Sequence, residues 1–139
     1  MTLLDSTPFD KARARRRRNV LLGAAAVLIL AIAVYLCWPY YMARRTVNQF
    51  MDALVRKNYQ MAYAIWKPDP KSYPMDYFMQ DWGPSSRWGI IKSYQVLDVL
   101  QPPGGNASGM VILVRINGIH DDARLWVENK THEMSFYQF

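Results

Sequence analysis

Hydrophobic positions fall into three regimes along the chain. From Asn19 to Trp38 they run almost unbroken, twenty residues without Asp, Glu, Lys or Arg. At about 1.5 Å per residue a helix of that length reaches roughly 30 Å, the thickness of a bilayer's hydrocarbon core, so the stretch predicts a transmembrane helix. Tyr35, Trp38, Tyr40 and Tyr41 gather at its far end, where amphipathic rings favour the headgroup region. Pro39 has no N–H to continue a helical ladder and predicts the membrane exit. The second regime has helical period. Val47, Phe50, Met51, Leu54 and Val55 form one stripe on a helix from Tyr41 to Lys57, with Arg44, Arg45, Gln49, Asp52, Arg56 and Lys57 on the other face. Asn58 suits both a left-handed C-cap and the N-cap of a short helix, Tyr59 to Trp66, which Pro68 and Pro70 end. Met75 to Trp82 predicts one or two further helical turns, with Pro74 at the start and Gly83 as a cap.

From Ile90 the period changes to that of strands. Ile90 to Leu100 predicts the first, ended by the turn Gln101-Pro102-Pro103-Gly104-Gly105-Asn106. Gly109 to Asn117 follows, alternating through Met110, Ile112, Val114 and Ile116. Ala123 to Glu128 sets Leu125 and Val127 against Arg124, Trp126 and Glu128. Glu133 to Phe139 is the last. Such short turns permit only antiparallel neighbours, so the sheet is expected to be a four-stranded meander. The fold class is therefore α+β: an N-terminal transmembrane helix, then helices packed on a curled antiparallel sheet.

Charge adds direction. Lys11, Arg13, Arg15, Arg16, Arg17 and Arg18 precede the apolar stretch against Asp5 and Asp10, a net of +4, while only Arg44 and Arg45 follow closely. By the positive-inside rule these six residues are a topology signal that keeps residues 1–18 in the cytoplasm and exports residues 39–139 across the plasma (inner) membrane, 19–38 being the span. A topology signal suffices to explain the basic run, so nucleic acid is not an expected partner, whereas the lipid bilayer is. Ala31-Ile32-Ala33 is similar to a cleavage site, but the apolar run continues through Leu36, longer than the core of an ordinary signal peptide, and an uncleaved signal anchor is expected. Gly23 and Ala26 offer small side chains for close packing of a neighbouring helix.

Removing the first 38 residues leaves enough chain for one small core, which excludes a multidomain enzyme. A single cysteine, Cys37, excludes a disulfide-stapled miniprotein. Candidate chemistry is sparse. His120 and His132 stand in predicted turns, and His120-Asp121-Asp122 matches no zinc-ligand spacing. None of HExxH, CxxC, GxxxxGK[ST] or GxSxG is present, so no catalytic residue, metal or cofactor is expected. Asn106-Ala107-Ser108 and Asn129-Lys130-Thr131 fit the N-glycosylation pattern. Tyr73, Tyr77, Phe78, Trp82 and Trp88 crowd one irregular stretch. They are read either as a lid that completes a small core, or as a ligand groove or partner surface.

The segment Phe50-Met51-Asp52-Ala53-Leu54-Val55-Arg56-Lys57-Asn58-Tyr59-Gln60-Met61-Ala62-Tyr63 resembles the opening of NTF2-like (cystatin-like superfamily) domains: an apolar helix, an Asx-Tyr break and a second helix with a small residue. That resemblance implies helices laid across a curled sheet. Enzymes of this superfamily use an Asp base and Tyr donors within the cone, so it draws attention to Asp76, Asp81 and Asp98. An N-in anchor before such a domain also looks like the VirB8-like scaffold components of secretion systems. The expected function is that of a non-catalytic single-pass membrane protein, its exported domain binding partners as an accessory or assembly subunit of a membrane complex. A tethered ligand-binding or enzymatic pocket and a secretion-system scaffold are the alternatives.

Overall fold

The computed structural model describes residues 8–104 and 107–137. Asp5, the Gly105-Asn106 end of the first strand turn, and the last two residues of the expected fourth strand lie outside them. The chain divides into two compact units, Met1–Trp38 and Pro39–Phe139.

Helix α1 is assigned over Pro8–Val55, with Pro39 inside it. Pro39 was read as the membrane exit, and the helix runs through it. The proline removes one ladder hydrogen bond, but the following turns are fixed by their own apolar stripe, which outweighs that loss. Within the first unit the helix carries one stretch long and apolar enough to cross a membrane, and none of that window is buried against protein. Val20, Leu22 and Ile29 are each more than 60% exposed, which in water would be a large unfavourable apolar surface.

In the second unit, α1 ends in a Schellman motif. The Asn58 N–H donates to the Ala53 carbonyl (2.9 Å) and the Lys57 N–H to that of Leu54 (3.0 Å). The left-handed residue is Lys57 (φ 59°), one position before the expected Asn58. Asn58 instead caps α2 (Tyr59–Trp66), its side-chain oxygen accepting from the Met61 N–H at 3.2 Å. Helix α3 is Met75–Trp82.

Strands β1 (Tyr94–Leu100), β2 (Gly109–Ile116), β3 (Ala123–Glu128) and β4 (Met134–Phe136) form one antiparallel sheet in sequential order. Leu125 faces Ile112 on one side and Phe136 on the other, so these three side chains form a row on one face. The core joins that face to Val47, Phe50, Met51 and Leu54 of α1, Trp66 of α2, and Phe78 and Trp82 of α3.

The first strand begins at Tyr94 rather than Ile90. The backbone before it is held by a side chain instead of a ladder. Asn117 Oδ1 accepts from the N–H groups of Lys92 (2.8 Å) and Ser93 (3.2 Å), and its Nδ2 donates to the carbonyls of Trp88 (3.1 Å) and Ile90 (3.0 Å). Asn117 itself is left-handed (φ 52°), a conformation that Asn tolerates. One amide, together with the Asn117 N–H bonded to the Ser93 carbonyl at 2.9 Å, thus anchors the approach to β1.

Candidate functional site

Phe136 ends the core row on edge strand β4 and remains 41% exposed. It stacks on Trp82 with centroids 5.4 Å apart and planes 7° from parallel, and tilts on Trp66 at 5.2 Å. On the outer side of this aromatic layer a cleft of about 500 Å³ opens between the end of α3, the loop after it, and strands β3 and β4. Trp88, Ala123 and Phe136 give it apolar walls, and Gln80, Asp81, Arg87, Asp122, Arg124 and Tyr137 supply polar groups.

Local structure accounts for the placement of Asp81, Asp122 and Arg87. Asp81, half-buried on the last turn of α3, accepts a very short hydrogen bond from the Tyr73 hydroxyl, and the Tyr63 hydroxyl donates to the Tyr73 carbonyl at 2.9 Å. Burial first, and then this carboxylate, hold the Tyr73 hydroxyl protonated well above the ordinary tyrosine range. Asp122 is gripped by Arg115 in a two-pronged pair at 2.9 and 3.3 Å. Arg87 lies over the Trp88 ring at 4.5 Å and pairs with Asp121 in an exposed ion pair. The carboxylates of the cleft are thus tied to partners within the fold, which suits surface shape more than proton transfer.

The five residues of the aromatic stretch separate. Phe78 and Trp82 are wholly buried and Trp88 nearly so, all within the core; Tyr73 is half-buried and Tyr77 exposed. Of them only Trp88 lines the cleft. Asp76 is exposed on the first turn of α3. Asp98 is exposed beside a β-bulge, its Oδ1 accepting from the next N–H, that of Val99, at 2.8 Å. The structure brings neither to the cleft. His120 is exposed, while its neighbours Asp121 and Asp122 each have an arginine partner. Among the described residues, no three His, Cys, Asp or Glu side chains converge as metal ligands would.

In the first unit Lys11, Arg13 and Arg15 to Arg18 are all exposed on α1, as are Gly23 and Ala26, and Cys37 is an exposed free thiol. Strand alternation places Arg124 on the face opposite Leu125 and Val127 without singling it out, and Arg87, Phe136 and Tyr137 are not singled out either; the adjacent ring pair Phe136-Tyr137 and the dipeptide Arg87-Trp88 were the traces that could have marked them.

No protein-family model matches the chain, and neither a curated protein nor a solved structure matches it.

Proposed function

We propose that this chain is a non-catalytic single-pass membrane protein, anchored in the plasma (inner) membrane by residues 19–38 with its N-terminus in the cytoplasm. Its exported domain, NTF2-like in character, binds partner proteins as an accessory or assembly subunit of a membrane complex. The observation that carries the reading is the way the domain's interior is used. Phe50, Met51, Leu54, Phe78, Trp82, Ile112 and Leu125 are all wholly buried between helices and sheet, where an enclosed ligand chamber would have to lie. At the sheet's edge lies a cleft whose lining includes Trp88, Phe136, Tyr137, Arg87 and Arg124, residue types enriched at protein interfaces. The uninterrupted apolar stretch with its +4 flank supports the anchor and its orientation.

A tethered ligand-binding pocket is the second reading, favoured by the cleft's volume of about 500 Å³ and by Asp81 at its wall. The two separate in one experiment. A photo-crosslinking residue placed at Arg87 or Gln80 in the full chain, followed by purification in mild detergent, should join it to the same membrane-complex subunit from both positions. Crosslinks should disappear when the probe is moved to the exposed Asp98. A chain that stays monomeric and uncrosslinked, and whose cleft instead retains a small molecule, would favour the pocket.

A further inference from the structure

We propose that the helical segment from Lys11 to Arg18 is a binding site for anionic phospholipid, with headgroup phosphates held between basic side chains one turn apart and acyl chains lying along the start of the apolar stretch. The inference rests on the membrane reading above and adds a lipid class to it. Because α1 begins at Pro8, these cations stand on regular helix. Helical spacing sets Lys11 beside Arg15 and Arg13 beside Arg17 at i,i+4, and Arg13 beside Arg16 and Arg15 beside Arg18 at i,i+3. Neighbours of this kind have Cβ atoms about 5–6 Å apart, and like charges so placed repel. A phosphate between them replaces that repulsion with two charge-assisted hydrogen bonds. The helix supplies a single carboxylate between Pro8 and Trp38, Asp10, against six cations.

The order of side chains along the helix surface favours lipid over other phosphates. One groove is lined by Arg13, Arg16 and Arg17 together with Val20 and Leu21. Another is lined by Asp10, Arg13, Ala14, Arg17 and Arg18 and runs to Leu21 and Leu22. Cations and apolar side chains therefore follow one another along the same groove, in the order of head and tail in a phospholipid. A nucleic acid would meet the cations and leave the apolar end uncovered.

The test uses the full chain, exchanged in mild detergent into equal amounts of phosphatidylglycerol and phosphatidylcholine, with retained lipid counted by mass spectrometry. Phosphatidylglycerol should be enriched at least about threefold over the mixture. Changing Arg15→Gln, Arg16→Gln, Arg17→Gln and Arg18→Gln together should return the ratio to that of the mixture, and Arg44→Gln with Arg45→Gln should leave it enriched. Undiminished enrichment in the fourfold variant would overturn the proposal. So would loss of enrichment on adding inorganic phosphate, which would assign the cations to free phosphate, or tighter binding of an RNA oligonucleotide than of phosphatidylglycerol vesicles. A chain that floats with vesicles but shows no enrichment refutes this inference alone, whereas one that does not float with vesicles refutes the membrane reading as well.

Discussion

Phe50→Ala is the sharpest probe of how the unit Pro39–Phe139 holds together. Phe50 has no exposed surface, and its ring meets Trp82 edge-on at 5.0 Å, Trp66 at 5.1 Å and Phe78 edge-on at 6.1 Å. Truncation loses the transfer energy of the ring and leaves a cavity among three large aromatics that cannot collapse into it, a cost of about 3–5 kcal/mol. Edge-to-face pairs contribute about 0.5–1.5 kcal/mol each beyond area, which places the cost at the upper end of that range. A domain of this size has about 5–15 kcal/mol in all, so a cost near 5 kcal/mol removes from about a third to all of its stability. Phe50→Leu keeps much of the volume and should cost about half as much. Gln49→Ala, on the exposed face, should change stability by less than about 0.5 kcal/mol. Urea titration of the fragment 39–139, read by tryptophan fluorescence and circular dichroism, measures all three. The fragment begins at Pro39, a residue well suited to a helix start. Equal midpoints for Phe50→Ala and Gln49→Ala would refute the division between core and surface.

Tyr94 donates to the Asp52 carboxylate at 2.7 Å, tying α1 to β1, so Tyr94→Phe and Asp52→Ala should each cost about 1 kcal/mol and the double variant little more; additive costs in a double-mutant cycle would contradict the link. Burial, and then the bond and charge of Asp52, push the Tyr94 hydroxyl up to about 12. Tyr73 is raised as well, so the folded state holds these protons more tightly than the unfolded chain. Stability from both groups is fully present below the ordinary tyrosine value of about 10; that from Tyr94 should be lost as pH rises through about 10 to 12, while that from Tyr73 persists to higher pH. Melts at stepped pH check it, and a flat profile across that window would count against the Tyr94 contribution. Asn117→Ala removes all four side-chain hydrogen bonds on residues 88–93 and should cost about 2–3 kcal/mol, with hydrogen exchange rising first at Lys92 and Ser93; unchanged exchange there would contradict the role given to that amide.

Helices and strands were legible wherever burial alone decides them. Val47, Phe50, Met51 and Leu54 are all buried as their spacing requires. The spans of α2, α3 and β3 coincide with those read from period and caps. What period cannot see is a bond between distant side chains. Ile90 and Ile91 look like the start of a strand, but the Asn117 amide takes up the backbone groups a ladder would need. Asp52 looks like an ordinary exposed carboxylate until Tyr94, 42 residues away, reaches it. The cleft was illegible for the same reason: it joins the end of α3 to β3 and β4, segments that meet only because α2 and α3 seat Trp66 and Trp82 against Phe136. The aromatic stretch was conspicuous in sequence, yet most of its bulk goes to the core, as a domain this small requires.

Orientation in the membrane is tested most directly by two reporters fused in turn after Phe139, one active only outside the cytoplasm and one active only within it. The flanking charge predicts that the first is active and the second silent, and that neutralising Arg15 through Arg18 mixes the two. Activity of the cytoplasmic reporter on the unaltered chain would place the domain on the wrong side of the membrane and contradict its proposed role as an exported subunit.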